Sequence, residues 1–449
     1  MLKFGTDGVR GVANAELTPE LALALGRAAA RVLGGGRPGE RFAIGRDTRR
    51  SGPLLEAALT AGLAGEGVEV VQLGVAPTPE VAWWSASEGA PAAVVSASHN
   101  PFADNGIKLF SAGGRKLPDD VEQRLEAELQ TLLATRPVDD GSDAPTGADV
   151  GTVTAVSAHE GYGAAVAASL GGRRLDGLHV VADCANGAAS VVAPGVLRGL
   201  GARVEVLHDA PDGTNINEGS GSTHPQALQR AVVERGADVG VAFDGDADRV
   251  LLVDAAGQLV DGDHIIAICA IDRHERGVLA HDTVVVTVMT NLGFRLAMEQ
   301  RGVRVVETTV GDRYVLEALE SGGYGLGGEQ SGHVIFRDLA TTGDGLLTAV
   351  QALDVIVRTG RPLADLAAAA MTRLPQVLRN VRVAERDPAI VNRLRPQIAA
   401  VEARMGEKGR VLVRPSGTEP LVRVMVEAPT EADAAAAADE LVKAVEALS

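Results

Sequence analysis

The sequence predicts an α/β fold: three similar α/β domains with largely parallel mixed sheets, plus a smaller C-terminal α+β domain. Three observations lead there. At 449 residues the chain exceeds one hydrophobic core, since domains run to about 100–200 residues. One order of strands and helices recurs three times along it. After Arg373 that order stops, and a pattern of paired strands and long helices begins.

The first copy opens with the strand-like run "RFAIGRD", then a helix from about Pro53, the run "VEVVQLG", a helix after "APTPE", and "AAVVSASHNP". The second runs "LHVVADCANG", a helix, "ARVEVLHDAPDG", a helix after Thr223-His224-Pro225, then "ADVGVAFDGDADR". The third runs "TVVVTVMTN", a helix, "VRVVETTVGDR", a helix, then "YGLGGEQSGH". Each continues into a strand or hairpin: "GIKLFSAGG", "VLLVDAAGQLV" and "HVIFRDLATTG". Strands alternating with helices at this spacing imply mainly parallel sheets covered on both faces. Ligands gather at the carboxyl ends of such strands, and each copy sets one polar loop there. The last segment, with "VLRNVRV", a helix, "RVLVRPSG", "LVRVMVEA" and the helix "EADAAAAADELVKAVEAL", is the α+β unit. The Pro-, Gly- and Asp-rich stretch "TRPVDDGSDAPTGADVG" marks the first linker. The expected domains are residues 1–150, 151–255, 256–372 and 373–449.

A hydrophobic fraction of 46% and a charged fraction of 22% describe an ordinary globular chain. Its apolar runs, "HIIAICAI" among them, fall far short of the ~18 residues of a bilayer span, so no membrane partner is expected. A net charge of −17 argues against nucleic acid. It also means that an anionic ligand would need cations gathered locally. Cys184 and Cys269, far apart, read as free thiols of a reducing compartment. "MLKFGTDGVRG" has no basic-then-apolar leader, and a cytoplasmic location is the expectation.

The loops carry the chemistry. In "AFDGDADRV", Asp244, Asp246 and Asp248 alternate behind a strand, with Gly245 allowing a tight bend. Carboxylates so close repel one another, and a hard divalent cation, Mg2+ or Ca2+, is the usual remedy. The spacing is not that of an EF-hand, whose sixth and twelfth positions would be Arg249 and Ala255. A solvated acidic turn is the alternative, though it has no need of a buried strand before it. "RVLVRPSGTEPLVRV" sets Arg414, Ser416, Gly417 and Thr418 about a turn whose amides can nest an anion, with Arg423 on the returning strand. An ordinary Ser-Gly hairpin is the other reading. "GLGGEQSGH" supplies Glu329, Ser331 and His333, a set suited to sugar hydroxyls or equally to a locally satisfied loop.

"VVSASHNP" is an odd way to leave a buried strand. Its flanks do not match the G-x-S-x-G elbow of a hydrolase, and in extended backbone His99 would point away from Ser98. The other option is a serine that carries a phosphoryl group, neutralised by a cation on the aspartate loop. Lys108 in "NGIKLF", one of five lysines, could act as acid/base if neighbouring cations lower its pKa. "GTDGVRG" adds Arg10 in a loop too Gly-rich for a core strand.

In this order "GTDGVRG", "SASHNP", "DGDADR", "GGEQSGH" and "RPSGTEP" resemble the loops of the α-D-phosphohexomutase superfamily, and the likeness covers the whole chain. Its bacterial phosphoglucosamine mutases are most similar, through "SASHNPFADNGIK", "TTVGDRYV" and "GGEQSGH". The resemblance implies four domains around one central cleft and a Ser98 kept phosphorylated. It implies Mg2+, one per subunit, on Asp244, Asp246, Asp248 and a phosphoryl oxygen of Ser98. Lys108 would be the acid/base, with Arg10 and His99 around the phosphoryl group. Glu329, Ser331, His333, Gly311 and Asp312 would meet the sugar; Arg414, Ser416, Gly417, Thr418 and Arg423 would hold the non-reacting phosphate. The implied reaction interconverts glucosamine 6-phosphate and glucosamine 1-phosphate through glucosamine 1,6-bisphosphate, intermediate and activator, feeding UDP-N-acetylglucosamine and cell-wall synthesis. Sugar phosphates are the implied partners, and a homodimer is left open. The nearest competing reading is a phosphomannomutase/phosphoglucomutase of the same superfamily. A Mg2+-dependent phosphatase would want an aspartyl nucleophile in D-x-D-G-[TV] at an early strand. A silent sugar-phosphate sensor would not need the serine, aspartates and lysine together.

Overall fold

Among the described residues, three of the four sheets share one strand order, and it is the order of the repeat. A computed structural model describes residues 8–34, 40–134, 144–384, 387, 389–416 and 420–448. These divide into two units, Met1–Met289 with Val303–Ala368, and Thr290–Gly302 with Ala369–Ser449.

In the first unit, Arg41–Arg46 lies between Glu69–Val75 and Ala92–Val95, both parallel to it, and Asp104–Ser111 runs antiparallel to Ala92–Val95. The second copy sets His179–Asp183 between Arg203–Leu207 and Val239–Phe243, with Val250–Asp254 antiparallel outside. The third sets Thr283–Thr287 between Arg304–Thr308 and Leu326–Gly328, with Val334–Phe336 antiparallel outside. The strands Ala92–Val95, His179–Asp183, Val239–Phe243 and Thr283–Thr287 are buried from end to end, which their near-continuous apolar runs require. Each polar loop leaves the third strand of its copy, at Ser96, Asp244 and Glu329.

Two short strands lie just past the expected domain limits. Val153–Ala155 pairs with Glu69–Val75, and Leu259–Val260 with Val250–Asp254. Each covers a sheet edge that would otherwise stand open. The glycine-rich opening is a correction: Val9–Val12 is a strand, antiparallel to Asp104–Ser111 with Arg10 opposite Gly106. At an edge one ladder suffices. Gly8, at φ 78°, is needed there because a Cβ would sit 2.2 Å from the Ile107 carbonyl oxygen.

In the second unit the antiparallel strands Gln376–Arg382, Leu421–Glu427 and Arg410–Pro415 form one sheet, with Leu421–Glu427 in the middle. Helices Ile390–Met405 and Glu431–Glu446 cover the face that carries Val377, Val413 and Val424. The unit also takes the helix Leu292–Gln300 from the third repeat. Its first amide donates to the buried Glu427 carboxylate at 2.9 Å, and the Asn291 side chain donates at 3.2 Å. Among the described residues no helix is long and apolar enough to cross a membrane, and both cysteines are free and buried.

The backbone of the helix Gly262–Glu275 meets the loop after Leu326–Gly328 with no space between. Gly262 N–H donates to the Gln330 carbonyl at 3.0 Å, and a Cβ at 262 would lie 2.2 Å from the Glu329 carbonyl oxygen. Gly262→Ala is therefore expected to cost about 1–3 kcal/mol of stability through overpacking. It should also speed amide exchange at Gly332, whose N–H now donates to the Glu329 carbonyl at 3.0 Å. A variant with unchanged thermal unfolding and unchanged exchange at Gly332 would show that the close approach does not set the loop.

Candidate active site

Ser98 is fixed by its surroundings. It is buried, and its φ of 52° is a left-handed conformation rare outside glycine. The Ser98 amide donates to Ser96 Oγ at 2.9 Å, and the Ser96 hydroxyl to Asp47 Oδ2 at 2.6 Å. Arg49, fully buried, pairs with Asp47 at 3.2 Å. It also donates to the carbonyls of Ser98 at 3.2 Å, Asn100 at 2.6 Å and Asp104 at 2.8 Å. Asn217, from the second repeat, donates to the Ser98 carbonyl at 2.9 Å. Burial pushes the Asp47 carboxyl up, and Arg49 pulls against that.

The same turn corrects the expectation for His99. Because Ser98 is not extended, His99 Nδ1 comes within 3.3 Å of Ser98 Oγ and 3.2 Å of Arg249 Nη1. Burial, then the charges of Arg249 and Arg10, hold its pKa below the ordinary histidine range. Asp47, Arg49 and Asn217 are supports that the sequence reading missed. The legible signal was "GRDTRR", a charge pair placed directly behind a buried strand.

The three aspartates converge. Each is buried, and ligand atoms from all three lie within 4.8 Å of one another. The Ser98 hydroxyl donates to Asp244 Oδ2 at 2.6 Å. Lys108 reaches Asp246 Oδ2 at 2.9 Å and Asp248 Oδ2 at 3.3 Å, and the Thr78 hydroxyl donates to Asp246 Oδ2 at 2.7 Å. Burial, with Asp248 and Asp246 beside it, pushes the Asp244 carboxyl well above the usual carboxylate range. For Asp246 burial acts in the same direction, but Lys108 and Thr78 overcome it and hold the carboxyl below that range. Asp246 Oδ1 and Asp248 Oδ1 are buried without a hydrogen-bond partner. Such a set of hard oxygens fits a divalent cation of the Mg2+ or Ca2+ kind. The Arg10 stem lies across Gly106, where a Cβ would be 2.8 Å from its Cγ, and its charge acts on both His99 and Asp246.

The third repeat contributes Glu329, whose Oε1 accepts from the Gly311 amide at 3.1 Å. Ser331 is exposed. His333 is buried with its ring against Gly343, where a Cβ would stand 2.3 Å from Nε2. Its Nε2 is 3.5 Å from Asp312 Oδ2. Asp312 forms an ion pair with Lys116, from the two-residue strand Arg115–Lys116 of the first repeat. Burial opposes ionisation of Asp312, yet Lys116 and His333 hold its carboxyl below the usual range. Lys116 was not singled out from the sequence, although it is one of five lysines and follows a Gly-Gly turn.

In the second unit Arg414 and Arg423 are register partners on adjacent strands. Like charges directly opposite repel. Burial, then Arg423, lowers the Arg414 pKa, and an anion would relieve both guanidiniums. Ser416 is buried, with its amide on the Leu421 carbonyl at 2.8 Å. Gly417 and Thr418 lie outside the described residues.

Residues 1–136, 160–257 and 261–374 match phosphoglucomutase/phosphomannomutase alpha/beta/alpha domains I, II and III, and residues 378–444 match that family's C-terminal domain. The phosphoglucosamine mutase of Frankia alni is 56% identical over 455 residues, covering 99% of this chain and 98% of its own. That of Moorella thermoacetica is 56% identical over 429 residues, 95% of each chain. Among solved structures, a phosphoglucomutase/phosphomannomutase family protein from Burkholderia thailandensis aligns with a TM-score of 0.80 at 26% identity, over 100% of this chain and 98% of its own. Aspergillus fumigatus N-acetylphosphoglucosamine mutase, solved with GlcNAc-6P and magnesium, has the same fold at a TM-score of 0.71 and 19% identity, over 99% and 95%.

Lys116 gives the site a test of its own. Lys116→Met removes the ion-pair partner of Asp312, and losing such a charge-assisted contact is worth about 1.5–3 kcal/mol. The expected result is a KM for sugar phosphate raised by roughly ten- to a hundredfold, with an unchanged magnesium requirement. Adding Asp312→Asn should recover part of the loss. If Lys116→Met keeps the wild-type KM, the pair is ornamental to the site.

Proposed function

The chain belongs to the phosphoglucosamine mutase branch of the phosphoglucomutase/phosphomannomutase family, and on that premise we propose how its residues work. It is a phosphohexomutase, an isomerase that interconverts glucosamine 6-phosphate and glucosamine 1-phosphate. In our reading Ser98 carries the phosphoryl group. The observation behind it is the Ser98 hydroxyl, 2.6 Å from Asp244 in a buried cluster of carboxylates that also holds Lys108.

Mg2+, one per subunit, would be held by Asp244, Asp246, Asp248 and an oxygen of phosphorylated Ser98, and supplies charge neutralisation to the transferring group. The oxygens of Asp246 and Asp248 that accept no hydrogen bond support this assignment. In the first transfer the Oγ–P bond of Ser98 breaks as a bond forms from phosphorus to the C1 oxygen of glucosamine 6-phosphate. Lys108 gives a proton to Ser98 Oγ as that oxygen departs and takes the C1 hydroxyl proton in its place. The product, glucosamine 1,6-bisphosphate, turns over. In the second transfer the O6–P bond breaks, the Oγ–P bond re-forms, and the proton passes from Oγ to O6. Arg10 and His99 flank the phosphoryl group and orient it.

Gly311, Asp312, Glu329, Ser331 and His333 are the proposed sugar contacts. Arg414, Ser416, Gly417, Thr418 and Arg423 are the proposed holders of the non-reacting phosphate, first the 6-phosphate and then the 1-phosphate. Glucosamine 1,6-bisphosphate would also act as activator, recharging a serine that has lost its phosphoryl group. A cytoplasmic location fits two buried free thiols, and the product would feed UDP-N-acetylglucosamine and cell-wall synthesis.

Chemistry at C1 and C6 cannot tell a 2-amino from a 2-hydroxy sugar, so the ring contacts must. Asp312 is already met by Lys116, which leaves Glu329 as the carboxylate for the ammonium group. One such contact gives a moderate preference, about tenfold, because a hydroxyl can donate to the same oxygen. The kcat/KM for glucosamine 1-phosphate should therefore exceed those for glucose and mannose 1-phosphates, which retain residual turnover. Ser98→Ala should abolish all three while the protein still unfolds cooperatively. Equal or better turnover of the glucose or mannose compound moves the chain to the phosphomannomutase/phosphoglucomutase reading; turnover surviving in Ser98→Ala removes the carrier.

A further inference from the structure

A cleft of about 410 Å3 lies behind the aspartate loop, walled by the helices Thr78–Glu88 and His159–Ala168 and by the segment leading into the helix Gly345–Thr359. We propose that this cleft binds a small hydrophobic amine and couples its occupancy to the aspartate loop.

The chemistry of the lining selects the ligand class. Trp83 and Tyr162 present rings 6.4 Å apart and tilted by 58°, and Val166 and Leu347 complete an apolar wall. One charged side chain lines the cleft, Asp344, and no Lys, Arg or His does. Asp344 is buried, and its carboxylate accepts from the Tyr162 hydroxyl at 2.9 Å and the Leu347 amide at 2.9 Å. Both donors are neutral, and among the described ion pairs none involves Asp344. An apolar body with an ammonium head satisfies the aromatic faces and the carboxylate together. The volume is that of a small-molecule site, which runs to roughly 300–1,000 Å3.

The coupling is built into two helix starts. Thr78 donates to the Asp246 carbonyl at 2.9 Å through its amide and to Asp246 Oδ2 at 2.7 Å through its hydroxyl. Gly345 donates to the Ala247 carbonyl at 3.0 Å, and a Cβ there would lie 2.5 Å from the Arg249 carbonyl oxygen. Trp83 stands on the second turn of the first of these helices, and Leu347 on the first turn of the other. A ligand between them that changes their separation shifts Asp246 and Ala247 with them.

The test uses phenethylamine and its neutral counterpart 2-phenylethanol against the full-length protein, with tryptophan emission as readout. Phenethylamine should give a saturable change with a Kd of about 1 mM or tighter. The alcohol should bind about tenfold more weakly, the loss of one charge-assisted contact. Ala165→Leu, which fills the mouth from the exposed face of its helix, should abolish the change while leaving mutase turnover intact. No saturable change, equal binding of amine and alcohol, or full binding to Ala165→Leu would each overturn the site. So would a shift in the solution mass of Ala165→Leu, which would make the cleft an interface between copies. In a separate arm, saturating amine should raise the Mg2+ concentration for half-maximal turnover by about fivefold. Binding without that shift overturns the coupling, and neither result bears on whether Ser98 is the carrier.

Discussion

Three buried carboxylates within 4.8 Å of one another cannot all be ionised without positive charge among them. Much of the larger unit answers that constraint. Lys108 comes from the strand beside the serine strand and reaches two of the three. Arg249, next in sequence to Asp248, has its pKa raised by them even though burial opposes it. The hydroxyl of Ser98 and the Arg249 amide donate to the third. Two carboxylate oxygens are still without a hydrogen bond, and the unmet demand is what a divalent cation and a phosphoryl oxygen would satisfy together.

Such a site works only if its parts cannot relax away from one another. Arg49 secures the serine loop by placing its guanidinium on three carbonyls and Asp47. Removing it would leave Asp47 as a buried carboxylate without its ion-pair partner, a costly arrangement. Asn217 reaches the same loop from the second repeat, and Thr78 grips the aspartate loop from the first. The repeats are thus cross-braced at the serine and aspartate loops. The left-handed backbone at Ser98 persists because these contacts over-determine it.

The repeat was legible because each copy spells its inner strands as unbroken apolar runs, and because three polar loops follow strands at matching places. The aspartates were legible through their alternation and Ser98 through its misfit at a strand end. The glycines around Arg10 misled: they serve close approach at an edge strand instead of marking a loop. His99 was misread because a left-handed serine gives no sign in the sequence. Arg49 looks like any arginine in "DTRRS" until it is buried. Lys116 and Asp312 are 196 residues apart, and the helix Leu292–Gln300 joins a sheet formed more than seventy residues later; such pairings belong to tertiary structure alone.

The phosphoryl carrier is tested most directly by mass. Intact protein and the peptide containing Ser98 would be weighed before and after incubation with glucosamine 1,6-bisphosphate and Mg2+, beside Ser98→Ala. A carrier at Ser98 requires the dephosphorylated protein to gain one phosphoryl group, located on that peptide, with no gain in the variant. No gain in the wild type, or a phosphoryl group on another residue that Ser98→Ala also acquires, would contradict it.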